Sequence, residues 1–391
     1  MTELLGFDSQ PRTRVVFGLN TIDRIGEFAC DLLARRALIV TDPHIVAAGH
    51  VERACESLRA AGVAATVFDS VRENPTTRDV DECVRAAREC GADTLIGLGG
   101  GSSMDTAKGC NFLLTNGGRM QDYRGVGKVS RDMLPMIAVP TTAGTGSECQ
   151  SFALIADETT HQKMACGDPK AAPRIALLDP MLTASQPRNV AASTGVDAIA
   201  HAVETAVTRR RSELSQLYSR EAFRLTINNL STVLNDPENM HSRAQMLLGA
   251  AYAGTAIENS MLGAAHSAAN PLTAHFNVIH GQAVGMMLPH VIRYNAKIAD
   301  AGQTYRDLAV YARIAQPDAS DEDAIGALVC RLEEMLVLAG MPLSLAECGV
   351  TDESVPQLAG EAAGQWTARF NPREITEREF AGLYRSALYR S

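Results

Sequence analysis

At 391 residues the chain exceeds the roughly 250–300 at which one core divides, so two domains are expected, each supplied by a hydrophobic fraction of 46%. Forty-five acidic against 36 basic residues leave a formal charge of −9, which repels phosphate backbones and anionic bilayers and argues against nucleic acid or membrane as partner. Nine scattered cysteines without a CxxC pair, no run of 18 apolar residues and no signal-peptide pattern in MTELLGFDSQPRTR predict reduced thiols in a cytoplasmic protein.

From the N-terminus, RALIVTD (36–42), AATVFDSV (64–71), DTLIGLGG (93–100), LPMIAVPTT (134–142) and PRIALLDP (173–180) are short β-branched or aliphatic runs that read as strands. Between them, VERACESLRAAG and TRDVDECVRAARECG repeat apolar residues every three or four positions and close on glycine, as amphipathic helices do. This alternation predicts a mainly parallel α/β sheet over residues 1–184. From about Ser185 the strand runs nearly vanish, and alanine-, leucine- and glutamate-rich segments predict an all-α domain over 185–391. Pro187, in the connector DPMLTASQPRN, suits the first turn of that domain's first helix.

Three loops at predicted strand ends carry ligand chemistry. Asp42, in VTDPH, can accept hydrogen bonds from an adenosine ribose and would repel a 2′-phosphate. TLIGLGGGSSMDTAKG (94–109) runs an apolar strand into three glycines and Ser102 before a helix; glycine lets the backbone approach a phosphate, and the helix amides donate to it. VPTTAGTGSE (139–148) ends the next strand in threonines and glycines. Each alone also fits an unliganded turn, and the glycine run is not a GxGxxG fingerprint; together, at one edge of an open sheet, they point to a nicotinamide dinucleotide.

In the helical half, TGVDAIAHAVET (194–205) sets Asp197 and His201 four apart on one helix face, where both can reach one divalent cation. An ordinary Asp–His hydrogen bond fits the same spacing, so further ligands must decide. GAAHSAANPLTAHFNVIHG (263–281) offers His266 and His280, which on one straight helix would stand about 21 Å apart, too far to share a metal whose bonds are about 2 Å. The chain must therefore break and return between them, and NPLTAHFN, with Pro271 and two asparagines, is the expected place. His275 is read as structural.

In order, GGGSSMDTAK, PTTAGTGSE, TGVDAIAHAVE and HGQAVGMMLPHVIRYN resemble the signature blocks of the iron-containing (group III) alcohol dehydrogenases, of the dehydroquinate synthase-like superfamily, over nearly the whole chain. The resemblance implies a Rossmann-like N-terminal domain, an all-α C-terminal domain, a metal and NAD. Carried over by position, it makes Asp197, His201, His266 and His280 the metal ligands. Gly100, Gly101 and Ser102 become the pyrophosphate loop, with Asp105 its acidic member. Thr141, Thr142 and Thr145 fall beside the nucleotide, Asn74 on its adenosine side and Lys163 at the nicotinamide ribose, while Asp42 occupies the position associated with NAD rather than NADP.

Where many members carry a second histidine four residues after the third ligand, this chain has Asn270, which forms hydrogen bonds but does not titrate near neutral pH. Asn270, orienting a substrate oxygen, and His266 are the candidate catalytic residues; a cap before Pro271 is the other reading of Asn270. The implied reaction is hydride transfer between a small alcohol and NAD, giving an aldehyde or ketone. The family favours Fe(II), although one aspartate and three histidines suit Zn(II) comparably. A homodimer or higher homo-oligomer is expected. Rival readings are a dehydroquinate synthase-like or glycerol dehydrogenase-like enzyme of the same fold, or a non-catalytic NAD- or metal-binding protein. The alanine- and methionine-rich GAAHSAAN and AVGMML suit a small, weakly charged substrate better than a phosphorylated acid.

Overall fold

The computed structural model describes residues 5–160 and 162–389; residues 1–4 of the predicted first domain and 390–391 of the second lie outside them. The chain forms two units, Gln10–Gln186 and Pro187–Ser391, the latter joined by the N-terminal segment that ends at Ser9. The sequence reading placed that segment with the α/β domain. It carries no strand pattern, and its bonds run instead to the helical unit: Glu213 N donates to Leu5 O (3.1 Å) and Ser9 Oγ to Asn259 Oδ1 (3.3 Å).

In the unit Gln10–Gln186 the strands are β1 (Arg14–Phe17), β2 (Arg36–Val40), β3 (Ala64–Phe68), β4 (Thr94–Gly99), β5 (Gly125–Val126), β6 (Met136–Pro140), β7 (Phe152–Ala156), β8 (Lys163–Gly167) and β9 (Ile175–Leu178). The helices are α1 (Ile25–Asp31), α2 (Pro43–Ala47), α3 (His50–Ala60), α4 (Thr77–Cys90) and α5 (Gly101–Asn116). All five predicted runs are strands of one six-stranded parallel sheet, ordered β1-β9-β6-β4-β2-β3. Alternate residues feed two cores. Leu38, Leu95 and Ala138 pack with Val80, Val84 and Phe112 of α4 and α5, whereas Ile39, Ile96 and Val139 pack with Ile25, Phe28 and Leu58 of α1 and α3. Helix α4 starts at a capping box between Thr76 and Asp79 and stops at Gly91, whose φ of 62° is the left-handed conformation glycine adopts without strain.

Because β2, β4 and β6 are neighbours, the loops that follow them, at Asp42, Gly100 and Thr141, share the carboxyl edge of the sheet. The strand β1 and the small sheet β5-β8-β7 were absent from the sequence reading. The first is an edge strand whose apolar Val15 and Phe17 are exposed, so it lacks the alternation that marks a half-buried strand.

In the other unit the helices among the described residues are α6 (Arg188–Val207), α7 (Glu213–Asn235), α8 (Met240–Asn259), α9 (Ala264–Phe276), α10 (His280–Asn295), α11 (Ala299–Tyr311), α12 (Asp321–Leu338), α13 (Val355–Ala363) and α14 (Glu377–Leu388). Pro187 is the N-cap of α6, just before its first turn. Small residues let α6 run buried from Ala191 onward among α7, α8 and α10. Helix α9 continues through Pro271 and ends at Asn277, which adopts φ 53°. The break between His266 and His280 is therefore at Asn277–Ile279 and not at the proline, because asparagine tolerates the left-handed turn that closes a helix. No helix among the described residues is long and apolar enough to cross a membrane.

Candidate metal and nucleotide sites

Helix α6 carries Asp197, His201 and Glu204 at i, i+4 and i+7, one above another on one face. His266 comes from the first turn of α9, and the turn at Asn277 brings His280, the first residue of α10, back to the same place. The three imidazoles converge on one oxygen: Asp197 Oδ1 lies 3.6 Å from His201 Nε2, 3.3 Å from His266 Nε2 and 3.9 Å from His280 Nε2. Donor atoms of Asp197, His201 and His266 lie within 4.8 Å of one another, and all three residues are buried. His280 is outside this tight group, with 30% of its side chain exposed against 5–8% for the others. The rings of His201 and His266 are stacked, with centroids 4.7 Å apart.

Asp197 Oδ1 and His266 Nε2 are buried and make no hydrogen bond, which native interiors rarely tolerate without water or an ion. Burial by itself would raise the Asp197 carboxyl, but the neighbouring His201, His266 and His280 hold it well below the usual carboxylate range. Burial would likewise lower His266; the carboxylates of Glu204 and Asp197 outweigh it and push the imidazole up to about 9. One carboxylate oxygen and converging imidazole nitrogens thus form a buried pocket that fits a divalent cation.

Around that group are residues the sequence reading did not single out. Glu204, 3% exposed, accepts from Ala265 N (2.6 Å) and binds His266 Nδ1 (2.5 Å). Its signal was available, since it lies seven residues after Asp197. Asn270 stands one turn beyond His266, half-buried, and its Nδ2 donates to Gln365 Oε1 (3.1 Å). Being inside α9 it caps nothing, which removes the alternative reading of that residue. His275 is on the surface, paired with Glu361 at 2.8 Å.

At the sheet edge, Asp42 is the N-cap of α2, its Oδ1 accepting from His44 N and Ile45 N. Gly100 precedes α5, whose N-terminus has no side-chain cap and no acidic residue in its first turn, leaving its amides and dipole for an anion. Gly101 has no room for a side chain, since a Cβ there would meet Thr145 Cγ2 at 2.7 Å, whereas one on Gly100 would make an ordinary contact with Thr142 Cγ2 at 3.5 Å. Thr142 and Thr145 therefore stand over the glycine turn, beside the buried Thr141, with Ser102 half-buried in the first turn of α5. Asp105 accepts from Ser147 Oγ (3.0 Å), while buried Lys108 donates to Ser147 O, Ser147 Oγ and Phe152 O. These bonds tie the threonine loop to α5. Lys163 Nζ donates to Asn74 Oδ1 (3.3 Å), so two predicted nucleotide residues distant in sequence are brought together.

One unit thus has a sheet edge receptive to an anion, and the other a buried pocket receptive to a cation, a combination that fits the oxidoreductases. Comparison with known proteins is more specific. The family model "Iron-containing alcohol dehydrogenase" matches residues 11–180, and "Fe-containing alcohol dehydrogenase family, C-terminal" matches 191–388, so the chain belongs to the iron-containing alcohol dehydrogenases. Lactaldehyde reductase of Escherichia coli is 35% identical over 90% of this chain and 92% of its own length. The NAD-dependent methanol dehydrogenase of Bacillus methanolicus is 31% identical over 95% and 97%. The crystal structure of a 1,3-propanediol oxidoreductase superposes with a TM-score of 0.93 at 30% identity, covering 97% of this chain and 98% of that one.

Proposed function

We propose that the protein interconverts a small primary or short secondary alcohol and its aldehyde or ketone, with NAD as hydride carrier and Fe(II) as the metal, Zn(II) being the alternative. The observation that carries this reading is the convergence of three imidazoles on Asp197 Oδ1 inside a buried pocket. Asp197, His201, His266 and His280 would hold the metal, which as a Lewis acid lowers the pKa of a substrate hydroxyl. His280, the most exposed of the four, would lie on the side open to substrate. Asn270 offers its Oδ1 as an acceptor, since its Nδ2 is engaged by Gln365; it can orient a substrate oxygen but cannot carry the proton.

For the nucleotide, the amides of Gly100, Gly101 and Ser102 would receive the pyrophosphate, with Thr141, Thr142 and Thr145 adding hydroxyl donors. Asp42 retains its second oxygen for an adenosine ribose, Asn74 and Lys163 act as a bonded pair, and Asp105 keeps the loop in shape through Ser147. The relatives' substrates, lactaldehyde and methanol, set the size range we propose. A cytoplasmic homodimer completes the reading. The test is anaerobic purification, metal analysis, and NADH oxidation against a panel of short aldehydes. Turnover with at least one aldehyde is expected; none, with metal and NADH both present, ends the proposal.

A further inference from the structure

The pocket's remaining buried acid is Glu204. It is not among the four converging donors, for its oxygens face away from Asp197 Oδ1 to the opposite ring nitrogen of His266 and to the start of α9. A carboxylate only accepts, so the proton in its contact with His266 must sit on Nδ1. In the neutral ring, the form that can bind a cation, this leaves the lone pair on Nε2, and Nε2 is the atom lying 3.3 Å from Asp197 Oδ1. The second oxygen, on Ala265 N, fixes the first turn of α9 and with it the position of the ring. We infer that Glu204 is the positioning residue of the metal pocket, selecting the His266 tautomer that turns Nε2 toward the cation and clamping the helix end that carries it.

The surroundings show that this contact is built into the fold. Gly263, just before α9, has its missing Cβ position 3.2 Å from both Glu204 Oε1 and Asn371 Oδ1, so a side chain there would press the carboxylate out of place. Asn371 Oδ1 also accepts from Ala264 N (3.4 Å), and Asn371 is held by reciprocal amide bonds with Asn295 (3.0 and 2.8 Å). Asn295 in turn reaches the buried Tyr305 hydroxyl at 3.3 Å. Two successive amides of α9 thus end on side chains brought from α6 and from the segment before α14, and only one of those side chains touches a candidate ligand. Histidine ligands elsewhere commonly hold a carboxylate on their far nitrogen, and its loss weakens metal binding by roughly 10–100-fold.

This inference rests on the proposed metal site, and its test is kept separate from turnover. Metal affinity is measured by chelator competition with Zn(II), and geometry by the visible spectrum of the Co(II)-loaded protein, for wild type, Glu204→Gln and Glu204→Asp. Glu204→Gln can retain an acceptor for Ala265 N but loses the carboxylate at His266. It is expected to keep the thermal stability of the metal-free protein within a few degrees, to weaken Zn(II) about 10–100-fold and to shift the Co(II) bands, with Glu204→Asp in between. Unchanged affinity and spectrum in Glu204→Gln would overturn the inference, and a loss confined to metal-free stability would reduce Glu204 to a helix cap. In wild type itself, 15N-histidine NMR of the Zn(II) form must show His266 protonated at Nδ1; coordination through Nδ1 overturns the inference even if neither variant folds. Failure of wild type to bind Zn(II) or Co(II) at all would instead count against the metal site on which it depends.

Discussion

Asn270 is the residue at which this chain departs from the pattern it resembles, and the structure makes the departure a matter of chemistry. It sits one turn from His266 and donates to Gln365 Oε1, so a neutral amide pair occupies a place where an imidazole would titrate. Asn270→His is expected to add an ionisation near neutral pH to the kcat profile; an unchanged profile would show that this position has no part in proton handling. Asp42 has two roles that a second substitution separates. Its Oδ1 caps α2, and its charge would repel a 2′-phosphate with about 1–4 kcal/mol at contact distance. Asp42→Gly costs only a few tenths of a kcal/mol as a cap, yet it is expected to raise kcat/KM for NADPH relative to NADH about tenfold or more. An unaltered ratio would remove Asp42 from cofactor selection. Of the four donors that converge in the pocket, Asp197 and His201 were legible from their helical spacing, whereas His266 and His280 lie on successive helices and could be joined to them only by supposing a break in the chain. Glu204 carries the same spacing and went unread because its partner, His266, belongs to another helix. Gln365 was illegible for a stronger reason: nothing local marks a glutamine 95 positions from the residue it binds.

At the scale of elements, strands and helices with alternating or periodic apolar residues could be read, since burial on one face imposes the period. The exposed edge strand β1 and the two-residue β5 carry no such period, whereas β7 and β8 bury the alternate residues Ala153 and Ile155, Met164 and Cys166 and went unread. The turn between α9 and α10 shows how proline misleads. Pro271 signals a stop, but α9 continues past it, and the reversal is made by Asn277 at φ 53°. A left-handed residue other than glycine or asparagine costs about 1–2 kcal/mol, and this turn alone returns His280 to Asp197. Asn277→Val should therefore lower the stability of the helical unit by about 1–2 kcal/mol and reduce bound metal, while Asn277→Gly should leave both intact. Equal metal content in the two variants, measured by elemental analysis after dialysis, would mean that the turn does not control the position of His280.

For the molecule as a whole, the contacts separate Gln10–Gln186 from a helical unit that the N-terminal segment joins through bonds no sequence pattern announces. The candidate cation pocket lies in that unit alone, so its stability has a metal-linked part and a part set by its own buried groups. His290 of α10 isolates the second. Burial, aided by the nearby Arg293 and opposed by Glu333, lowers the imidazole to about 4 from the ordinary 6.5. Between those two values the unfolded chain binds a proton that the folded chain refuses. The favourable contribution is therefore complete above pH 6.5 and lost as pH falls through about 4, amounting to about 2 kcal/mol between pH 7 and pH 4.5. Urea unfolding of the metal-free protein across that range should show wild type losing this much stability relative to His290→Gln, which has no proton to take up. Parallel pH dependence in the two proteins would mean that the folded state admits the charge, and that the packing around α10 opens to water more readily than its burial implies.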